Sequence, residues 1–97
     1  MRGNLIELQI AMISALEKKR KKIDALDSRL AALLAERFGL VKSLAGLKKT
    51  IRDPEREAAV LKTAGGLVKG QALSSAVTAV YKEIFRQGRR IQNDHTV

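Results

Sequence analysis

Apolar residues recur at alternating steps of three and four through the first half of the chain: Ile23, Leu26, Leu30 and Leu33, then Leu40, Leu44 and Leu47. This is the spacing of one helical face packed against another helix. It predicts a helix from about Leu5 to about Lys49, with Gly39 and Gly46 tolerated inside it. At about 1.5 Å per residue such a helix is roughly 65 Å long, more than a compact domain of this length is wide. Its apolar stripe therefore calls for a partner chain, and a dimer built along this helix is expected. A second helix starts at Asp53-Pro54-Glu55. Asp accepts hydrogen bonds from free N–H groups, Pro fits the first helical position, and Glu suits the helix dipole. Arg56, Glu57, Val60, Leu61 and Ala64 then share one side, Gly65-Gly66 weakens the helix, and the Gly70-Gln71 region breaks it. Ser74 or Ser75 is the expected cap of a third helix, with Val77, Val80, Tyr81, Ile84, Gly88, Ile91 and Gln92 at helical spacing.

The pattern describes an all-α, three-helix protomer forming one domain over residues 1–97, with residues 1–17 as a helical extension and 93–97 as a tail. Composition agrees: 45% of residues are hydrophobic, only 3% are aromatic, and there is one proline. A chain of 97 residues buries about two-thirds of its surface when folded alone, so oligomerisation is attractive. No cysteine is present, which excludes disulfides and thiolate chemistry and is compatible with a reducing, cytoplasmic location. The single histidine, His95, lies in the polar tail, so no metal site is expected. Leu5 to Ile13 is apolar, but Glu7 and Gln9 interrupt it, so it reads as the start of a helix and not as a membrane span or signal peptide.

Charge adds candidate chemistry. The formal net charge is +9, concentrated in Lys18, Lys19, Arg20, Lys21 and Lys22 and again in Arg86, Arg89 and Arg90. Nucleic acid, an anionic membrane surface or a small anionic ligand could each answer such an excess, and a solvated face is the plain alternative. Arg37 is more informative, because it occupies the apolar seam between Leu33 and Leu40. A cation there loses hydration and must be matched by an anion, or it costs several kcal/mol. Lys48, eleven residues on, returns to nearly the same helical face. Two cations facing one apolar interior suggest a pocket for a small, multiply charged anion; alternatively both snorkel to solvent. Gln92 falls on the buried stripe of the third helix, as a structural bridge or a ligand contact, and Gly88, one turn earlier, leaves space beside it.

These residues match a known pattern. The run Arg20-Lys21-Lys22-Ile23-Asp24-Ala25-Leu26-Asp27, continuing to Leu33-Leu34-Ala35-Glu36-Arg37, resembles the first helix of the all-helical chorismate mutases. Ile51-Arg52-Asp53-Pro54-Glu55-Arg56-Glu57 is similar to that family's second-helix start, and Gln92 matches its third-helix glutamine. The resemblance covers about Lys18 to Gln92. It implies an intertwined homodimer with two equivalent sites that rearrange chorismate, a small dicarboxylate, to prephenate, without cofactor or metal. Arg37 and Arg20 of the partner subunit would hold the two carboxylates. Lys48 and Gln92 would hydrogen-bond the ether oxygen, Asp53 and Glu57 would meet the hydroxyl side, and Arg56 would support the helix terminus. Gly88 stands where the family often has a small polar residue near a carboxylate, and Arg89 where it has an apolar wall. The segment between Lys48 and Asp53 is about four residues shorter than is typical of the family.

Such a reaction needs a folded substrate and stabilised ether-oxygen charge, not a nucleophile. Three rivals remain: an isochorismate pyruvate lyase on the same fold, a basic helical nucleic-acid binder, and a purely structural helical dimer. The Asp53-Pro54-Glu55-Arg56-Glu57 segment favours the mutase over the lyase. The scarcity of aromatics and the lack of helix-turn-helix spacing argue against nucleic acid, and neither nucleic acid nor membrane is expected as a partner.

Overall fold

The structure, a computed structural model, describes residues 2–47 and 53–96. Among the described residues the secondary structure is three α-helices: α1 (Arg2–Ser43), α2 (Pro54–Gly66) and α3 (Gln71–Thr96). None of them is long and apolar enough to cross a membrane. The chain divides into two compact units, the first ending at Glu36 and the second beginning at Arg37.

The first unit is α1 alone. Straight-chain helix formers dominate it, and an exposed Glu17–Arg20 pair at 3.7 Å adds local support. It has no core of its own. The seam residues Ile23, Leu26, Leu30 and Leu33 are each between 53% and 59% exposed, and Leu5, Ile6, Leu8, Ile10, Met12, Ile13 and Leu16 are also exposed. Lys18 to Lys22 lie on the same exposed helix.

The second unit contains the last turns of α1 with α2 and α3. Continuation of the first helix to Lys49 is not observed. α1 stops at Ser43, whose hydroxyl donates to Leu40 O, and the chain tightens through Leu44 N–H to Val41 O (3.1 Å), Ala45 N–H to Lys42 O (3.1 Å) and Leu47 N–H to Leu44 O (2.9 Å). A serine hydroxyl on the backbone and three-residue hydrogen bonding are ordinary ways to end a helix, and Gly46 disfavours its renewal. Lys48, expected on the same face as Arg37, lies outside the described residues.

α2 starts where its cap predicts. Asp53 Oδ1 accepts from Arg56 N–H at 3.1 Å, Pro54 takes the first position, and Glu55 and Glu57 fill the first turn. It ends at Gly66, and Gly70, at φ 92°, turns the chain through a conformation glycine adopts freely. α3 then begins three residues before the expected serine cap. Ser74 lies inside its first turn, its N–H bonded to Gly70 O at 3.0 Å and its hydroxyl donating across to Gly65 O at 3.2 Å. A Cβ at Gly65 would sit 3.2 Å from that hydroxyl, so Gly65 serves the close crossing of α2 and α3 more than it weakens α2.

Ala64 and Phe85, each 8% exposed, form the small apolar core, with Tyr81 tilted against Phe85 at 6.1 Å between ring centroids. The buried side of α3 thus carries Phe85, which the expected stripe omitted, while Val80 is 57% exposed. Gly88 is buried, but the space expected beside it is taken: a Cβ there would lie 3.4 Å from Val41 Cγ1.

Candidate active site

Within the second unit, the end of α1, the start of α2 and the C-terminal half of α3 enclose a pocket of about 240 Å³. Small-molecule sites occupy roughly 300–1,000 Å³, so this pocket lies just below the usual range. Its apolar wall is Leu40, Val41, Leu44, Val60 and Phe85; its polar lining is Arg37, Asp53, Arg56, Glu57, Arg89 and Gln92, with Gly88 also lining it. Three arginines against two carboxylates leave the lining net positive.

Arg37 reaches the pocket from the last turns of α1, its guanidinium carbon 5.6 Å from the centroid of the Phe85 ring. The ring face offsets part of the lost hydration while leaving the in-plane N–H groups free for an anion. No carboxylate among the described residues pairs with Arg37. The stripe-bound arginine is therefore shielded by an aromatic ring but not neutralised.

Gln92 is only 3% exposed, and its amide nitrogen donates to Val41 O at 3.0 Å. Because a carbonyl can only accept, this contact fixes which end of the amide faces α1. One N–H is used, and the amide has a second. Gln92 is therefore a structural bridge between α3 and α1 that also lines the pocket.

At the opening of α2, the Asp53 cap orders the first turn and brings Arg56 and Glu57 to the rim. Glu57 is held from α3: Arg89 Nη1 lies 2.7 Å from Glu57 Oε2, and both side chains are largely shielded from solvent. The basic cluster on α3 is thus not one solvated face. Arg89 turns inward, while exposed Arg86 chelates Glu83 (2.8 and 2.6 Å) and Arg90 donates to Gln87 at 3.2 Å. The Arg86 hydrogen bonds, helped by one from Gln87, hold the Glu83 carboxyl down to about 2.

Of the residues singled out from sequence, Arg37, Asp53, Arg56, Glu57, Gly88 and Gln92 come together around this pocket. Arg20 belongs to the first unit, exposed beside Glu17. Sequence reasoning gave Phe85 no part in the site and read Arg89 only as standing where the family has an apolar wall. Phe85 sits three residues before Gly88 and seven before Gln92, so helical spacing alone places it on their face. Among the described residues no group of three His, Asp or Glu side chains is arranged to hold a metal ion.

The sequence signature described as chorismate mutase type II matches residues 19–93. The chain belongs to that family. A chorismate mutase of Methanocaldococcus jannaschii is 46% identical over 50 residues, which is 47% of this chain and 50% of that protein. The chain thus spans about half the length of the curated relative it matches. No solved structure matches it significantly. The family match takes in every pocket-lining residue and leaves the first 18 residues of the chain outside it.

Proposed function

We propose that the chain is a chorismate mutase, rearranging chorismate to prephenate within a homodimer. The observation that carries this reading is the un-neutralised Arg37 guanidinium at a pocket that also holds the buried Gln92 amide. A dicarboxylate supplies the anion that Arg37 lacks, and the bidentate fit of guanidinium to carboxylate fixes its orientation. Clamping both carboxylates folds the substrate so that the carbon–carbon bond forms as the ether C–O bond breaks, with no atom gained or lost. Negative charge grows on the ether oxygen during that step. The second Gln92 N–H, with Lys48, stabilises it beside the apolar side chains of Val41, Val60 and Phe85. Asp53 and Glu57, both acceptors, meet the hydroxyl side, and Arg56 supports the α2 terminus. Gly88 contributes backbone but no side-chain contact.

The exposed seam of α1 supports the dimer. Ile23, Leu26, Leu30 and Leu33 repeat along α1 at seam spacing, each more than half open to solvent in the single chain. A second α1 lying along it buries these leucines and carries Arg20 of the partner subunit to the second carboxylate. A continuous ultraviolet assay of chorismate consumption, with acid conversion of the product to phenylpyruvate, tests the reaction; isochorismate run alongside exposes a lyase instead. Arg20→Ala and Arg37→Ala are each expected to be inactive. When they are mixed and allowed to exchange subunits, about a quarter of the sites regain both arginines, because half the dimers are mixed and each holds one intact site. No turnover by the unmodified chain refutes the activity, and no recovery on mixing refutes the shared site.

A further inference from the structure

We infer that Arg89 is a positioning residue for the proposed reaction, acting through Glu57. The inference rests on the functional reading above and adds to it a residue for which the resemblance implied only an apolar wall. Arg89 is in the C-terminal half of α3, between Gly88, which lines the pocket, and the buried Gln92. It spans to α2, with Nη1 2.7 Å from Glu57 Oε2, across 32 residues of sequence. Glu57 is 21% exposed and Arg89 28%, so this is not a solvated surface pair of the Glu83–Arg86 kind, whose members are both more than half exposed.

The chemistry follows from what each group has left to give. A carboxylate offers two oxygens and accepts only. Arg89 takes Oε2, which removes the rotation that would let Glu57 swing out to water and leaves Oε1 as the acceptor for one ligand hydroxyl. Nothing else among the described residues donates to Glu57 through a side chain. The expected ligand is accordingly a dicarboxylate that also bears a hydroxyl, with its carboxylates on the Arg37 side and the hydroxyl on the Glu57 side.

The test is steady-state kinetics on chorismate with Arg89→Met, Arg89→Lys, Glu57→Gln and the Arg89→Met/Glu57→Gln pair. A hydroxyl contact made equally before and at the transition state affects KM and leaves kcat nearly unchanged. Arg89→Met is expected to raise KM about tenfold with kcat within about twofold, the scale of one hydrogen bond to a charged group. Arg89→Lys restores most of the loss, since an ammonium can reach the same oxygen. In the Glu57→Gln background, Arg89→Met adds nothing further. Unchanged KM in Arg89→Met overturns the inference, as does an equal loss with and without the Glu57 carboxylate, which would mark a role in packing alone. If the unmodified chain fails to turn over chorismate, the functional reading falls and takes this inference with it. Turnover that is indifferent to all four variants removes the inference alone.

Discussion

Replacing Arg37 by leucine should make the protein more stable and nearly inactive. The residue occupies an apolar seam at the end of α1, half shielded, with the Phe85 ring 5.6 Å away and no carboxylate partner among the described residues. Losing the cation–π contact costs about 0.5–1 kcal/mol. Against that, a leucine brings a gain of about 1.5–3 kcal/mol if fully buried, and about half of it at a half-covered site. It also removes a charge that the fold does not neutralise. The balance favours Arg37→Leu by about 0.5 kcal/mol, which for a domain of this size raises the midpoint by roughly 2–4 °C. Activity moves the other way. Two charge-assisted hydrogen bonds to a carboxylate are worth about 1.5–3 kcal/mol each, so kcat/KM should fall by at least 10²-fold or so. The assay is thermal unfolding at one fixed chain concentration, because a dimer's midpoint depends on it, paired with chorismate turnover. A variant that is destabilised, or that keeps more than about a tenth of its turnover, refutes the claim that ligand binding is what holds a cation in this seam.

Three further outcomes are expected. Gln92→Leu keeps the volume but removes both amide N–H groups; stability should fall by about 1 kcal/mol only, since Val41 O still accepts from Leu44 N–H, while kcat falls about 10²–10³-fold. Gly88→Ala, with its Cβ 3.4 Å from Val41 Cγ1, should raise stability by up to about 1 kcal/mol through helix propensity, whereas Gly88→Val should lower it by about 1–3 kcal/mol through overpacking; chemical denaturation of the two separates these terms. Glu83 has its pKa lowered from 4.5 to about 2, so its contribution to folding is complete above 4.5 and is lost as pH falls toward 2. A pH titration of the unfolding midpoint in Glu83→Gln should be flatter over that window, and modestly so, because the pair is exposed.

The parts of the fold that could be read from sequence are those whose cause is local. Asp53-Pro54-Glu55 carries its capping chemistry within three residues, and α2 starts there. The three-and-four spacing places Arg37 on a helix face, and the polar interruption of that face marked the site. What escaped depends on contacts between elements. α1 ends at Ser43 because a side chain and three tight turns end it, although its periodicity runs on to Leu47. α3 starts at Gln71 because Ser74 is engaged with Gly65 across the helix crossing, which is invisible to a search for caps. Arg89 looked like part of a basic surface run, and only the position of α2 reveals its carboxylate partner. Phe85 is a plainer omission, since its spacing from Gly88 and Gln92 was available in the sequence.

The hydrogen bond from Gln92 to Val41 O has a consequence for how this family member can evolve. The same amide fastens two helices and is proposed to face the reacting oxygen, so position 92 answers to two selective pressures at once. Asparagine is one methylene too short to span to α1. A glutamate carboxylate has no hydrogen to offer the carbonyl and would repel it, and methionine fills the space but donates nothing. Drift at this position is therefore closed in almost every direction, while the neighbouring wall at Val60 or Leu40 is free to change size and retune the ligand without loosening the frame.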